Sequence, residues 1–267
     1  MTTPLITGST NLAGPTRSPS AIQMPCSNLK LASFDAAIID LDGTLVDTLG
    51  DFVSALNAMR QDLCLDAGPP LNYETVGCMV GKGSEHLINS VLNLLLPQHR
   101  RGLGTIEKEV KELNHPMFAK AYAAYQTHYL AINGQHSTVY PGVREGLQVL
   151  QRAGLKLACV TNKPLDFAQP LLQLKKLEPY FSHVFGGDSF ERKKPDPLPL
   201  IKTCEALGTR PHRTLMIGDS SNDAQAARAA GCPVVLVTYG YNHGEALSGE
   251  DADALIDSLA ELAELTS

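Results

Sequence analysis

Two aspartates, Asp40 and Asp42, stand directly after the apolar run 36–39 and directly before Gly43. Two carboxylates at this spacing can face one pocket at the end of a strand, and the glycine allows the chain to turn sharply there. The spacing does not fit a calcium loop of the EF-hand type, which requires glycine at the sixth position and a distant glutamate. Asp-Gly is also a common turn dipeptide, so the pair alone leaves open a turn without a chemical role.

Polar side chains follow other apolar runs further along the chain. Thr161 and Asn162 offer a hydroxyl and an amide, Lys194 offers an ammonium, and Asp219 and Asp223 offer further carboxylates. Carboxylates gathered in one pocket repel each other unless a cation lies between them, and oxygen ligands favour a hard ion such as Mg²⁺. A hydroxyl, backbone amides, a lysine and a metal ion are together what a phosphoryl group needs for charge stabilisation.

The apolar runs that precede these residues predict the fold. Short continuous apolar runs are typical of strands buried on both faces of a parallel sheet. Helical patterns alternate with them, which predicts a doubly wound α/β core that binds ligands beyond the carboxyl ends of its strands. Residues 251–265 are expected to form a closing amphipathic helix. The predicted strands are residues 36–39, 157–160, 183–185, 214–217 and 234–237.

One stretch breaks this alternation, because residues 51–136 carry only helical patterns. We therefore predict an all-helical module inserted after the first strand of a core made of residues 34–50 and 137–267. Residues 1–33 hold several Ser, Thr and Pro residues with little charge and no sustained periodicity, so a flexible N-terminal extension is expected there. Met24 is an alternative start of the protein.

Four groups of these residues resemble, in order, the four motifs of the haloacid dehalogenase superfamily. The resemblance spans residues 34–244, and the helical insert resembles the C1 cap of that superfamily. It implies a Rossmann-like core that carries out phosphoryl transfer. An acidic residue at position 42 argues against a dehalogenase, and against a phosphonatase, which usually has a small residue there. The four groups are Asp40-x-Asp42-Gly43-Thr44, Thr161-Asn162, Lys194-Pro195 and Gly218-Asp219-x-x-x-Asp223.

The resemblance implies a role for each matching residue. Asp40 is expected to be the nucleophile that forms an aspartyl-phosphate. Asp42 is expected to protonate the leaving alkoxide and then to activate water. Asp40, the backbone carbonyl of Asp42, and Asp219 are expected to hold Mg²⁺. Lys194 is expected to stabilise the charge on Asp40 and on the transferred group.

Other residues are expected to bind phosphate or to orient these groups. Thr161 and the amide of Asn162 are expected to contact phosphoryl oxygens. Asp223 is expected to orient either Lys194 or a metal-bound water. In a glycine-bearing loop of the cap, Lys82 is a candidate contact for the leaving group, and an ordinary helix connection with an exposed lysine is the alternative.

Further segments resemble the bacterial phosphoglycolate phosphatases within this superfamily. This resemblance implies hydrolysis of a small phosphorylated two-carbon acid, 2-phosphoglycolate, to glycolate and phosphate. Phosphatases of N-acetylmuramic acid 6-phosphate share some of the segments, so that ester or another sugar phosphate is the alternative substrate. A catalytically idle regulator that binds phosphate ligands is a remote alternative. The segments are residues 39–47, 140–143, 160–164, 193–197 and 238–242.

Composition narrows the class of protein and its partners. The chain has 267 residues, 43% of them hydrophobic, and a net charge of −6, which argues against nucleic acid or an anionic membrane as a partner. No apolar run reaches the roughly 20 residues that a membrane helix needs. The six cysteines form no C-x-x-C pair, and their scatter fits a reducing cytoplasm. A monomer or a small homo-oligomer is expected.

Overall fold

A computed structural model describes residues 29–96, 115–245, 247 and 252–266. The expected N-terminal extension therefore lies almost wholly outside the described residues, as does part of the helical insert. Eight strands and eight α-helices are present among the described residues. The strands are β1 (Ala36–Ile39), β2 (Val46–Asp47), β3 (Thr138–Val139), β4 (Lys156–Val160), β5 (His183–Phe185), β6 (Thr214–Gly218), β7 (Val234–Val237) and β8 (Ala254–Ile256). The helices are α1 (Leu49–Asp62), α2 (Tyr73–Gly77), α3 (Ser84–Leu95), α4 (Phe118–Ile132), α5 (Val143–Arg152), α6 (Leu165–Leu174), α7 (Leu198–Leu207) and α8 (Ser221–Ala230).

Six strands form one parallel sheet in the order β5-β4-β1-β6-β7-β8. Every neighbouring pair is parallel, so all six carboxyl ends lie at the same edge. Strand β1 occupies the middle, between β4 and β6, and all four of its residues are buried. Apolar clusters cover both faces of the sheet, which explains why the strands read as continuous apolar runs. The predicted doubly wound α/β core is confirmed.

The predicted closing helix over residues 251–265 is wrong. Residues 254–256 form strand β8 at the edge of the sheet, and Leu259–Thr266 is a 3-10 helix. Leu259, Leu262 and Leu265 are all buried against the core. Their spacing of three residues matches the three residues per turn of a 3-10 helix. The periodic apolar residues do form a helix, but it is a 3-10 helix, and it begins only after the three-residue strand β8.

A short antiparallel ribbon was not predicted. Strands β2 and β3 pair Val46 with Val139 and Asp47 with Thr138. They lie where the chain leaves the core for the helical insert and where it returns. Two-residue strands carry too little pattern to be recognised from sequence.

The helical insert has its own buried core. In the described part of residues 49–132, every regular element is a helix. Side chains from these helices pack together, with Tyr125 and Tyr129 fully buried in their midst. Phe167 of the sheet-bearing part joins the same cluster, so the two parts are in contact. No helix among the described residues is long and apolar enough to cross a membrane.

Candidate active site

Three predicted site residues stand at the carboxyl ends of adjacent strands. Asp40 follows β1, Thr161 follows β4 and Asp219 follows β6. Because β1 lies between the other two strands, their side chains converge on one pocket, where they are only 7%, 3% and 3% exposed. Gly43 turns the chain back after Asp42 with a φ of +89°, and its N–H donates to the carbonyl of Val46 at 3.0 Å.

Lys194 is held against the predicted nucleophile. Its Nζ donates to Asp40 Oδ1 at 2.8 Å, to Asp223 Oδ1 at 2.7 Å, and to the carbonyl of Val160 at 2.7 Å. Burial opposes the charged form of this lysine, but the carboxylates of Asp223 and Asp40 raise the pKa of Lys194 above its ordinary value. The ammonium is therefore fixed as a cation beside the Asp40 carboxylate.

Asp223 uses both of its oxygens inside the protein. While Oδ1 accepts from Lys194, Oδ2 accepts from Ser220 Oγ at 2.7 Å, from the Ser220 N–H at 3.2 Å and from the Asp219 N–H at 3.3 Å. The bond from the Ser220 N–H is one half of the capping box at the start of α8. Of the two roles expected for Asp223, this geometry favours the orientation of Lys194.

A metal ion fits the carboxylates of this pocket. Oxygens of Asp40, Asp219 and Asp223 all lie within 4.8 Å of one another. Burial raises the pKa of Asp40 to about 7, and burial together with Asp223 and Asp40 raises the pKa of Asp219 well above its ordinary value. A divalent cation would remove this cost of gathering acids in a buried place. Asp219 is aimed into the cluster by Thr44 Oγ1 at 3.2 Å and by the Tyr241 N–H at 2.7 Å.

The carboxylate of Asp42 is turned toward the helical insert. Its Oδ1 accepts from Thr48 Oγ1 at 2.8 Å and from Lys163 Nζ at 2.9 Å. The first of these residues directly precedes α1, so Asp42 lies at the seam between the sheet edge and the helices. The two aspartates of the first motif thus have different surroundings, as separate roles require.

Lys163 is a site residue that was not predicted. Its side chain is 2% exposed and lines the pocket. Besides Asp42, its Nζ donates to the hydroxyl of Tyr129 at 2.6 Å and lies 4.5 Å from the ring centroid of Phe52. The one signal in the sequence was its position directly after Thr161-Asn162.

The side-chain amide of Asn162 is bonded within the protein and is not free to bind a ligand. The side-chain nitrogen of Asn162 donates to the carbonyl of Gly81 at 2.9 Å and to the carbonyl of Lys194 at 2.8 Å. Those bonds use both of its amide protons. The amide of Asn162 that was expected to contact phosphate is therefore its backbone N–H, which stands beside the hydroxyl of Thr161.

The structure does not bring Lys82 into the pocket. This lysine is exposed and lines a neighbouring surface groove with Glu85 and His86. Its neighbours Gly81 and Gly83 do line the pocket, together with apolar side chains of the insert. Those apolar side chains are Phe52, Val80 and Leu87.

Comparison with known proteins identifies the family to which this chain belongs. The family model of haloacid dehalogenase-like hydrolases matches residues 34–231. The chain belongs to this family. The four motifs of this chain converge on one pocket at the carboxyl edge of the sheet, where open parallel α/β sheets bind ligands. The family resemblance seen in the sequence is confirmed.

Individual members of the family resemble the chain over most of its length. A phosphoglycolate phosphatase from Thiobacillus denitrificans is 42% identical over 228 residues, which are 85% of this chain and 93% of that protein. A plasmid-borne one from Cupriavidus necator is 40% identical over 91% of this chain and 94% of that protein. A crystal structure of a predicted phosphoglycolate phosphatase from Haemophilus somnus has a TM-score of 0.77 and 32% identity, and the match covers 88% of this chain and 99% of that chain.

Proposed function

We propose that the protein is a Mg²⁺-dependent phosphomonoester hydrolase that converts 2-phosphoglycolate and water to glycolate and phosphate. The observation that carries this proposal is the buried contact of Asp40 with Lys194, in one pocket with Asp219 and with Asp42, whose carboxylate is turned toward the helical insert. The substrate follows from the relatives of this chain, which are phosphoglycolate phosphatases at 36–42% identity. The cytoplasm as its location, and a monomer or small homo-oligomer as its form, belong to the same proposal.

In the first step the carboxylate of Asp40 attacks phosphorus. A bond forms between Asp40 Oδ and phosphorus, and the bond from phosphorus to the glycolate oxygen breaks. Asp42 transfers its proton to that oxygen, so glycolate leaves as an alcohol. Lys194 stabilises the charge on Asp40 and on the phosphoryl group, while Thr161 and the backbone N–H of Asn162 bind phosphoryl oxygens.

In the second step water hydrolyses the aspartyl-phosphate. Asp42, now a carboxylate, takes a proton from the water as its oxygen attacks phosphorus, and the bond from phosphorus to Asp40 breaks. Mg²⁺, held by Asp40, the backbone carbonyl of Asp42, and Asp219, would supply positive charge that offsets the charge of the phosphoryl group. The apolar residues Phe52 and Leu87 of the insert exclude other water from the pocket.

The test is phosphate release from a panel of esters with Mg²⁺ and with EDTA. The panel holds 2-phosphoglycolate, N-acetylmuramic acid 6-phosphate, glucose phosphates and a nucleoside monophosphate. We expect the highest kcat/KM for 2-phosphoglycolate and no turnover in EDTA. A higher kcat/KM for another ester would show that 2-phosphoglycolate is not the preferred substrate, and the proposed phosphoryl-transfer mechanism would still hold. Release from none of the esters would favour the idle regulator.

A pair of variants at the two ends of β1 tests the nucleophile. Asp40→Asn at the carboxyl end of β1 is expected to abolish turnover. Asp35→Asn at the amino end of the same strand removes an exposed carboxylate bound to Arg213 and is expected to leave kcat/KM within about 3-fold of the wild type. Retained turnover in Asp40→Asn would contradict the covalent mechanism.

A further inference from the structure

The pocket holds a second buried lysine that the phosphoryl chemistry does not use. Lys194 donates to three acceptors around the nucleophile, so its hydrogen bonds are committed to that side of the site. Lys163 is buried as deeply, with 2% of its side chain exposed, but it lies on the Asp42 side. A buried ammonium is costly unless it is paired, and such groups are concentrated where a ligand or reaction needs them.

The position of Lys163 matches the leaving group rather than the phosphoryl group. Its Nζ is 2.9 Å from Asp42 Oδ1, on the carboxylate proposed to protonate the leaving oxygen. In 2-phosphoglycolate a single methylene separates that oxygen from a carboxylate. A carboxylate so close to the leaving oxygen comes within reach of an ammonium that contacts the acid itself.

The surroundings of Lys163 can accept one more anionic partner. An ammonium has three N–H donors, and two have acceptors here, namely Asp42 Oδ1 and the Tyr129 hydroxyl. The rings of Phe52 and Tyr129 lie 4.5 Å and 4.7 Å from Nζ, measured to their centroids. An apolar environment of this kind strengthens a charge-assisted hydrogen bond. Lys82, the cation expected to meet the leaving group, is exposed and lies outside the pocket.

We propose that Lys163 is the specificity-determining residue that binds a carboxylate on the leaving group. The site then selects phosphomonoesters of hydroxy acids over esters of neutral alcohols. This inference rests on the proposed function, which names one such ester. Because Tyr129 and Phe52 belong to the helical insert, the carboxylate is recognised at the seam between the insert and the sheet.

The experiment compares two esters that differ only in the charged group of interest. Ethyl phosphate replaces the carboxylate of 2-phosphoglycolate by a methyl group and keeps the two-carbon leaving group. We expect Lys163→Met to lower kcat/KM for 2-phosphoglycolate by about 100-fold more than kcat/KM for ethyl phosphate, because about 100-fold is the usual scale for losing a buried charged contact. An equal loss on both esters would overturn the proposal, because it would make Lys163 a positioning residue for Asp42.

Two further variants control for folding. Lys163→Gln keeps hydrogen-bond donors toward Asp42 and Tyr129 but has no charge, so it is expected to lose the same discrimination; retained preference for 2-phosphoglycolate would overturn the proposal. Lys156→Met removes a lysine at the amino end of β4, the strand that ends three residues before Lys163, and Nζ of Lys156 donates to the carbonyl of Leu207 at 2.7 Å. This variant is expected to keep the wild-type kcat/KM for both esters. An unchanged inhibition constant for inorganic phosphate would show that the phosphoryl pocket of each variant is intact.

The wild-type protein separates this inference from the proposed substrate. If it prefers N-acetylmuramic acid 6-phosphate, which also carries a carboxylate, and Lys163→Met loses that preference, the substrate is wrong and the role of Lys163 stands. If it prefers an ester without a carboxylate, both are overturned. If the wild type prefers 2-phosphoglycolate and the Lys163→Met variant keeps the same preference, only the role of Lys163 is overturned.

Discussion

Replacing Gly43 by alanine tests the metal site without touching a charged residue. A Cβ placed on Gly43 lies 2.2 Å from Asp219 Oδ2 and 2.8 Å from its Cγ, far inside van der Waals contact. The carboxylate must move by on the order of 1 Å, and a displacement of that size costs about 100-fold in rate where catalysis depends on position. Magnesium is especially sensitive, because it requires near-ideal octahedral geometry at about 2.0–2.1 Å.

Gly154 provides a matched control. Its φ of +84° is close to the +89° of Gly43, but a Cβ there meets nothing within 4 Å. Alanine at either site has the same backbone cost of about 1–2 kcal/mol. For a chain of this size, that lowers Tm by about 2–4 °C for each kcal/mol. The two variants therefore share this backbone cost, and only Gly43→Ala also displaces Asp219, the proposed metal ligand.

Phosphate release from 2-phosphoglycolate and thermal melting, each with Mg²⁺ and with EDTA, measure the two effects separately. We expect Gly154→Ala to keep wild-type kcat/KM and the full rise in Tm on adding Mg²⁺. Gly43→Ala is expected to lose about 100-fold in kcat/KM and most of the Mg²⁺-dependent rise. Equal activity of the two variants would refute the assignment of Asp219 to the metal.

Three further outcomes follow from the site. Asp223→Asn removes an anionic partner of Lys194, so we expect kcat to fall by about 10-fold or more while KM changes little, and a change in KM alone would contradict this. Lys82→Met is expected to keep kcat/KM for 2-phosphoglycolate within about 3-fold of the wild type, since this lysine lies outside the pocket. A larger loss would show that Lys82 does contact the substrate. Burial raises the pKa of Asp40 to about 7, so between about pH 4 and 7 the native protein in EDTA binds more protons than the unfolded chain. The free energy of unfolding therefore falls as pH rises through that window. The gain in Tm from Asp40→Asn in EDTA should therefore be greater at pH 8 than at pH 5, and a smaller gain at pH 8 would contradict the raised pKa.

The sheet and the residues at its edge were predictable for one physical reason. Strands buried on both faces must be apolar throughout, and parallel strands all end at the same edge. The points where the apolar runs stop therefore place Asp40, Thr161 and Asp219 at one edge of the sheet. The structure adds their order, with β1 between β4 and β6, which no single run can show.

The parts that could not be predicted depend on contacts between distant segments. Strand β8 has three residues and is recognisable only because Val235 pairs with Ala254. The ribbon of β2 and β3 joins Val46 to Val139, which lie on either side of the whole insert. Patterns this short cannot be distinguished from loops until a partner strand supplies the hydrogen bonds.

Lys163 shows the same limit at the level of chemistry. It stands beside Thr161-Asn162, so the sequence alone places it near the expected phosphate-binding residues. Its proposed function depends on Asp42, Phe52 and Tyr129, which other segments contribute. Three of the groups proposed to act on phosphorus, Asp40, Thr161 and Asp219, stand at strand ends of one sheet. The groups around Lys163 come from two parts of the chain that meet at a seam. The proposed roles therefore predict that changes in the helical insert alter which leaving group is bound without moving Asp40, Thr161 or Asp219.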